Sequence, residues 1–334
     1  MEIRRDYISG LLCITPLLRV HKEPFCLFCP GHEEHTSPAE LVFQHREFGL
    51  VKTADSPDYR ETDWSVRVVR YADPVLTPDS PLNYSPEPFV AEPAKGVHYA
   101  IIAGREHDKM FHDLELDQMS EVLLAMQETL KKALNIRGVR YATAFADAFK
   151  GRRDYVGHPH LQVIGLPMIP PIVEKEASLI KKQYEETGTC PYCKIIAAEK
   201  NGPRQVLSGK YHISVLPWSP KHEFEVWIMP KKHQRSFLRL TQREMADLSL
   251  VLKATLKAFY ETAKAPYSFV FHLGSERRSN YQFHWHVEAF SPTNLYGGLQ
   301  GGLGVKVLEA VPEKTAEQIS KRARKEVASL VGVI

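Results

Sequence analysis

The sequence has no long apolar run and almost no excess of either charge. No run of 18 or more apolar residues occurs in the 334 residues, so we expect no transmembrane helix. Lys and Arg number 43, Asp and Glu 40, and the net charge is +3, which argues against a dedicated nucleic-acid-binding protein. The N-terminal segment is charged early and its apolar part contains Thr15 and Pro16, which is untypical of a signal peptide. These absences predict a cytoplasmic protein with neither membrane nor nucleic acid as its partner.

Cysteine is scarce, and most of the cysteines are paired along the chain. Four of the five form two C-x-x-C motifs, Cys26 with Cys29 and Cys190 with Cys193, while Cys13 stands alone. In a chain expected in the cytoplasm, such pairs indicate metal or redox chemistry before disulfides. A thioredoxin-type motif normally occurs once, so two copies favour metal binding.

The chain repeats itself with an offset of 126 residues. Three histidines of the first copy recur at equal spacing in the second: His107, His158 and His160 match His233, His284 and His286. Each copy is also preceded by its own C-x-x-C motif. We therefore predict two fused halves, residues 1-175 and 176-334.

Secondary-structure signals follow this repeat. Apolar, β-branched runs predict strands at 98–103, 158–165, 224–229 and 284–290. Helical periodicity starts at Leu116 in the first half, and a Thr241/Glu244 capping box precedes it in the second. The fold class is therefore α+β, with an antiparallel sheet and a long helix in each half.

Two further segments complete the prediction. Residues 73–96 contain six prolines, which predicts an extended surface loop inserted into the first half. A last helix is predicted at about 315–332, opening with Thr315.

Each half offers four ligands of the types that zinc prefers. The first set is Cys26, Cys29, His107 and His158, and the second is Cys190, Cys193, His233 and His284. A closed set of two cysteines and two histidines is typical of structural zinc. We therefore predict two zinc sites per chain, with iron as an alternative metal at the second. There, His272, His286, Glu174 and Glu176 stay open as competing ligands.

The second histidine of each H-x-H remains available for chemistry. Residues i and i+2 of a strand share a face, so His160 is expected beside His158. A neutral imidazole on a rigid strand can attack phosphorus, and the Gln162 amide can donate to a phosphoryl oxygen. The second copy has Glu288 where Gln162 stands in the first. Because a carboxylate repels phosphate, we expect only the first half to be catalytic.

Motifs along nearly the whole chain resemble those of the galactose-1-phosphate uridylyltransferase family, in the histidine-triad superfamily. The matching segments are CLFCPGHEEHTSP, WSVRVVRYADPVL, GREH, HPHLQ, FEVWIMPKKH and HWHVEAF. The resemblance implies two fused histidine-triad-like repeats, usually in a homodimer. It also implies a ping-pong reaction in which His160 takes UMP from UDP-glucose and passes it to galactose 1-phosphate.

The same resemblance suggests substrate-binding residues. Phe28 would cover the base, Asp73 would accept from the ribose, and Arg19 would reach the phosphates. Two departures from the family pattern affect this part of the prediction. Asp147 and Tyr155 replace the usual Asn and Ser, so Arg152 and Arg153 become candidates for the phosphates. Leu299 and Gln300 stand where relatives present an aromatic residue and Glu to the sugar.

Two other functions stay open. An ADP-glucose or dinucleotide phosphorylase would use the same His160 and differ in base and acceptor. A zinc-knuckle binding module would carry no catalytic activity.

Overall fold

The computed structural model describes residues 1–15, 25–81, 87–148, 157–278, 282–291 and 297–332. Strands β1–β14 and helices α1–α5 are numbered in chain order. Within these residues, eleven strands form one antiparallel sheet and three form a small separate sheet. None of the helices in these ranges combines the length and apolarity needed to cross a membrane.

The elements lie as follows. In the first half, the strands are β1 (Glu2–Arg5), β2 (Leu12–Thr15), β3 (Leu41–Arg46), β4 (Gly49–Thr53), β5 (Val66–Arg70), β6 (Val90–Pro93), β7 (Val97–Ile102), β8 (Tyr141–Ala148) and β9 (His160–Leu166). In the second half, they are β10 (Gln205–Ser208), β11 (His212–Val215), β12 (Val226–Pro230), β13 (Tyr267–His272) and β14 (His286–Phe290). The helices are α1 (Leu116–Asn135), α2 (Pro171–Thr187), α3 (Pro191–Glu199), α4 (Gln242–Ala263) and α5 (Pro312–Leu330). Short 3-10 turns span Glu33–His35, Phe111–Asp113 and Phe237–Arg239, and a π-helical segment spans Gly297–Gly302.

The two halves share the large sheet and are related by a twofold arrangement. Its strand order is β10-β11-β12-β14-β13-β8-β9-β7-β5-β3-β4. The halves meet at the antiparallel pair β8–β13, where Phe269 lies opposite Ala146. Reading outward from this pair, β9, β7 and β5 correspond to β14, β12 and β11. The predicted α+β duplication is therefore confirmed, as is its antiparallel pairing.

The long helices α1 and α4 pack against each other and against the sheet. Each buries one apolar face, as its periodicity predicts. The predicted capping box is present, because the Thr241 hydroxyl accepts from the Glu244 backbone N–H and the Glu244 carboxylate accepts from that of Thr241. Rings from both halves meet in the core, with Phe111 edge-on to Phe269 at a centroid distance of 5.1 Å.

The structure differs from the prediction at 73–96, which is not wholly a surface loop. Strand β6 lies within this stretch and pairs with β1, so it extends the small sheet formed with β2. Backbone pairing is possible there because only the last of the four β6 residues, Pro93, lacks an N–H.

Element ends also differ. Helix α5 begins at Pro312, not near Thr315, because proline suits the first helical turn, where its missing N–H has no intrahelical partner. Strands β9 and β14 begin at His160 and His286, so the first histidine of each H-x-H precedes its strand. Helix α2 crosses residue 175, and the division into 1-175 and 176-334 stays a prediction.

We expect Phe269→Ala to destabilise the whole chain, because Phe269 is 1% exposed and contacts a ring of the other half. Truncating a buried Phe costs about 3–5 kcal/mol. Phe48→Ala is the matched control, since Phe48 is 97% exposed and surface changes usually stay within about 0.5 kcal/mol. Denaturant unfolding followed by fluorescence measures both. Two separate transitions, with only one of them shifted, would contradict a shared core.

Candidate active site and metal centres

The four predicted ligands of the first half come together just before the start of strand β9. Ligand atoms of Cys26, Cys29, His107 and His158 all lie within 4.8 Å of one another. The Cys29 Sγ is 3.3 Å from His107 Nδ1 and 3.7 Å from His158 Nδ1. Tetrahedral zinc would hold a sulfur and a nitrogen about 3.6 Å apart. The donor set and its spacing therefore fit a zinc ion.

Neighbouring groups orient these ligands. His158 Nε2 donates to the Gly104 carbonyl at 2.7 Å, which leaves its Nδ1 lone pair for a metal. Gly157 has φ +76°, and a Cβ there would come 3.0 Å from His107 Nε2. A glycine therefore lets the chain pass this ring closely. Burial raises the pKa of Cys26 to about 11, so a bound metal would have to displace its proton.

The second half repeats this geometry. Cys190, Cys193, His233 and His284 also lie within 4.8 Å of one another. Cys193 Sγ is 3.8 Å from His233 Nδ1 and 3.6 Å from His284 Nδ1. His284 Nε2 donates to the Pro230 carbonyl at 2.9 Å, as His158 does to that of Gly104. Both groups offer the cysteine and histidine ligands that zinc prefers.

His160 has one ring nitrogen engaged and the other without a partner. Its Nδ1 lies 2.8 Å from the His158 carbonyl and therefore carries the proton. Its Nε2 is buried and finds no hydrogen-bond partner among the described residues. Burial lowers the pKa of His160, although the His158 carbonyl and the charge of Asp147 oppose this. The ring is therefore neutral near pH 7, with its lone pair on Nε2.

Aromatic rings hold His160 in place. Phe28, which lies between Cys26 and Cys29, is edge-on to the His160 ring at a centroid distance of 5.1 Å, and Tyr71 is tilted against it at 5.9 Å. Tyr71 also stacks on His98 at 4.3 Å. His98 Nε2 is 2.9 Å from Gln162 Oε1. Neither Tyr71 nor His98 is among the site residues predicted from the sequence. The proximity of His98 to Gln162 depends on the register of β7 against β9, which sets Ala100 opposite Gln162.

The matching histidine of the second half is fully engaged. His286 Nδ1 lies 3.2 Å from the His284 carbonyl, and its Nε2 lies 3.4 Å from the Tyr192 hydroxyl and 3.6 Å from a Glu288 oxygen. Lys221 Nζ is 2.7 and 2.6 Å from the two Glu288 oxygens. Such a ring has no free lone pair to offer a phosphate.

His286 belongs to a third group of potential ligands, together with Glu176, His272 and Glu288. His272 Nδ1 is 3.0 Å from Glu176, and its Nε2 is 3.3 Å from Glu288. Burial alone would lower the pKa of His272, but these two carboxylates raise it to about 9.

Of the alternative second-site ligands, Glu174 lies outside this third group and pairs with Arg278 at 2.9 Å. We expect this third group to hold a proton on His272 and no metal, because Lys221 and His272 already balance its carboxylates.

The predicted substrate-binding residues are only partly placed. Arg19, Arg152 and Arg153 lie outside the described residues. Phe28 packs on His160, and Asp73 lies half-buried two residues beyond Tyr71. Gln300 donates to the Val307 carbonyl at 3.2 Å. Within the described part of this chain, no contact joins Gln300 to His160, Phe28 or Gln162.

Comparison with known proteins gives distant relatives that match most of the chain. The chain is 25% identical over 304 residues to the ADP-glucose phosphorylase of Arabidopsis thaliana, covering 89% of this chain and 81% of that protein. It is 26% identical over 320 residues to the galactose-1-phosphate uridylyltransferase of Haemophilus influenzae, covering 90% and 82%. A solved uridylyltransferase structure superposes with a TM-score of 0.82 at 28% identity, covering 97% and 99%. No family model matches the chain.

The duplicated sheet, the H-P-H-x-Q motif and these relatives support assignment of the chain to the histidine-triad superfamily. Over most of its length the chain is similar to galactose-1-phosphate uridylyltransferases and to an ADP-glucose phosphorylase, at 24–28% identity.

We expect the purified protein to hold about two metal ions per chain, and Cys29→Ser and Cys193→Ser each to lose about one. Cys13→Ser is the matched control, because Cys13 is exposed and outside both groups. Elemental analysis by mass spectrometry measures the content. Equal loss in the Cys13 variant, or none in the other two, would contradict the assignment.

The third group gives a pH prediction. Because the folded-state pKa of His272 is raised above its unfolded value, its contribution to stability is complete below pH 6.5 and disappears as pH rises through about 9. Unfolding measured across this range should show a fall that His272→Gln abolishes, with metal content unchanged. If His272→Gln instead removed a metal ion, the third group would be a metal site and this expectation would be wrong.

Proposed function

We propose that the protein transfers a nucleotidyl group through a covalent intermediate on His160 Nε2. One observation carries this proposal: this buried nitrogen has a lone pair and no partner among the described residues. A neutral imidazole in that state is a nucleophile for phosphorus.

The reaction would run in two displacements. Nε2 attacks the α-phosphorus of a nucleotide sugar, the bond from that phosphorus to the bridging oxygen breaks, and a sugar 1-phosphate leaves with the electron pair. A phosphate oxygen of the acceptor then attacks the same phosphorus. The phosphorus–nitrogen bond breaks, and His160 returns to its neutral form.

The proton on Nδ1 remains in place throughout. When Nε2 bonds to phosphorus, the ring gains positive charge, and the His158 carbonyl at 2.8 Å stabilises the Nδ1–H. Because the proton is retained, the imidazole leaves the phosphorus as a neutral group. Gln162 would donate its amide to a phosphoryl oxygen as charge develops there.

The first metal group would act through structure. Cys26, Cys29, His107 and His158 would hold the ion, which supplies cross-linking and no open position for a substrate. It would fix His158, whose carbonyl holds the neighbouring ring. The second group, Cys190, Cys193, His233 and His284, would do the same for the other half.

We propose UDP-glucose and galactose 1-phosphate as substrates. The Haemophilus relative and the solved uridylyltransferase support this pair. Phe28 would contact the base, Asp73 the ribose, Arg19, Arg152 and Arg153 the phosphates, and Gln300 the sugar. A homodimer and a cytoplasmic location complete the proposal.

ADP-glucose phosphorolysis is a second candidate, which the Arabidopsis relative favours equally. The two reactions share His160 and differ in base and acceptor. The phosphorylase would use inorganic phosphate where the transferase uses a hexose 1-phosphate.

The test is to incubate the protein with UDP-glucose or ADP-glucose alone and weigh the denatured chain. We expect the added mass of UMP with the first sugar nucleotide, whereas AMP with the second would favour the phosphorylase. His160→Asn should form no adduct and keep its metal content. The matched control is His286→Asn, which should still form it. An adduct that still forms in His160→Asn would contradict the proposal. The absence of an adduct with either substrate would also contradict it and would favour a non-catalytic zinc-knuckle module.

A further inference from the structure

A buried histidine next to the candidate nucleophile has no assigned role. His98 in β7 is 5% exposed. Its Nδ1 lies 3.4 Å from the Val75 backbone nitrogen, and its Nε2 lies 2.9 Å from Gln162 Oε1. Tyr71 stacks on its ring with an interplanar angle of 12°, so the ring plane is fixed.

These contacts determine the tautomer of His98. A backbone N–H can only donate, so Nδ1 of His98 must be the acceptor from Val75. Burial lowers the pKa of His98 to about 4, so the ring is neutral and has one N–H. That N–H is on Nε2 and points at Gln162.

The tautomer of His98 in turn determines how the Gln162 amide is turned. The two ends of an amide differ in chemistry, since the oxygen accepts and the nitrogen donates. Because the His98 N–H occupies Oε1, the Gln162 nitrogen is left facing away from His98. Among the described residues, that nitrogen has no side-chain partner of its own.

We propose that His98 is a positioning residue that holds the Gln162 amide with its nitrogen toward the transferred phosphoryl group. This inference rests on the proposed function. Without His98, the amide could turn and present its oxygen, which would repel the phosphoryl oxygens. The chain of contacts runs from the Val75 backbone through His98 to Gln162, and only Gln162 would touch the substrate.

The test compares His98→Leu, which cannot donate, with His98→Gln, whose amide nitrogen can reach the place of Nε2. We expect His98→Leu to slow nucleotidyl-adduct formation by about tenfold, which is less than the loss of about 10²–10³-fold expected for removing a donor such as Gln162 outright. Affinity for the nucleotide sugar should change little, and His98→Gln should recover most of the rate. Should the Leu variant not fold, His98→Asn replaces it, because its shorter amide cannot reach Gln162.

A double-mutant cycle gives the decisive readout. In a Gln162→Ala background, changing His98 to Leu or Asn should cost no further rate, because the group it positions is gone. Equal losses in both backgrounds, or no loss in the single variant, would overturn the inference. Failure of the proposed function looks different, because then the unaltered protein forms no adduct from either nucleotide sugar.

Discussion

The backbone carbonyl of His158 determines what the ring of His160 can do. This carbonyl oxygen lies 2.8 Å from His160 Nδ1 and accepts its hydrogen bond, so the ring's lone pair is on the buried Nε2. The position of that carbonyl depends on the His158 ring, which lies between Cys29 and the Gly104 carbonyl. The first candidate metal group, the backbone and the candidate nucleophile are therefore linked in series: His158 faces the candidate metal group, and His160 is the candidate nucleophile.

Duplication gave the chain two copies of this arrangement, and the copies now differ. Both keep a Cys₂His₂ group and a second histidine whose Nδ1 bonds the carbonyl of the histidine two residues before it. In the second copy, Glu288 and Tyr192 engage Nε2 of His286, and Lys221 binds Glu288. In place of the Gln162 amide of the first copy, the second copy has the Glu288 carboxylate, which forms a buried ion network with Lys221, His272 and His286. The second half retains a structural role through the shared sheet and the β8–β13 junction.

Much of this arrangement could be predicted from the sequence because it depends on spacing. The equal separation of His107, His158 and His160 from their second-half partners predicted the duplication, and the structure brings both ligand sets together. Features that depend on tertiary contacts could not be predicted. His98 reaches Gln162 only through strand register, and β6 pairs with an N-terminal strand across a long stretch of chain. Helix α5 begins at Pro312, three residues before the predicted Thr315, because proline is favoured in the first helical turn.

The central claim is that His160 is neutral near pH 7, with its proton on Nδ1 and a bare Nε2. Nitrogen-15 NMR of histidine-labelled protein, with His160→Asn to assign the signal, measures this directly. We expect one protonated nitrogen, at Nδ1, and an unprotonated Nε2 at pH 7, because burial lowers the pKa of His160. A proton on Nε2, or a ring charged at pH 7, would contradict it.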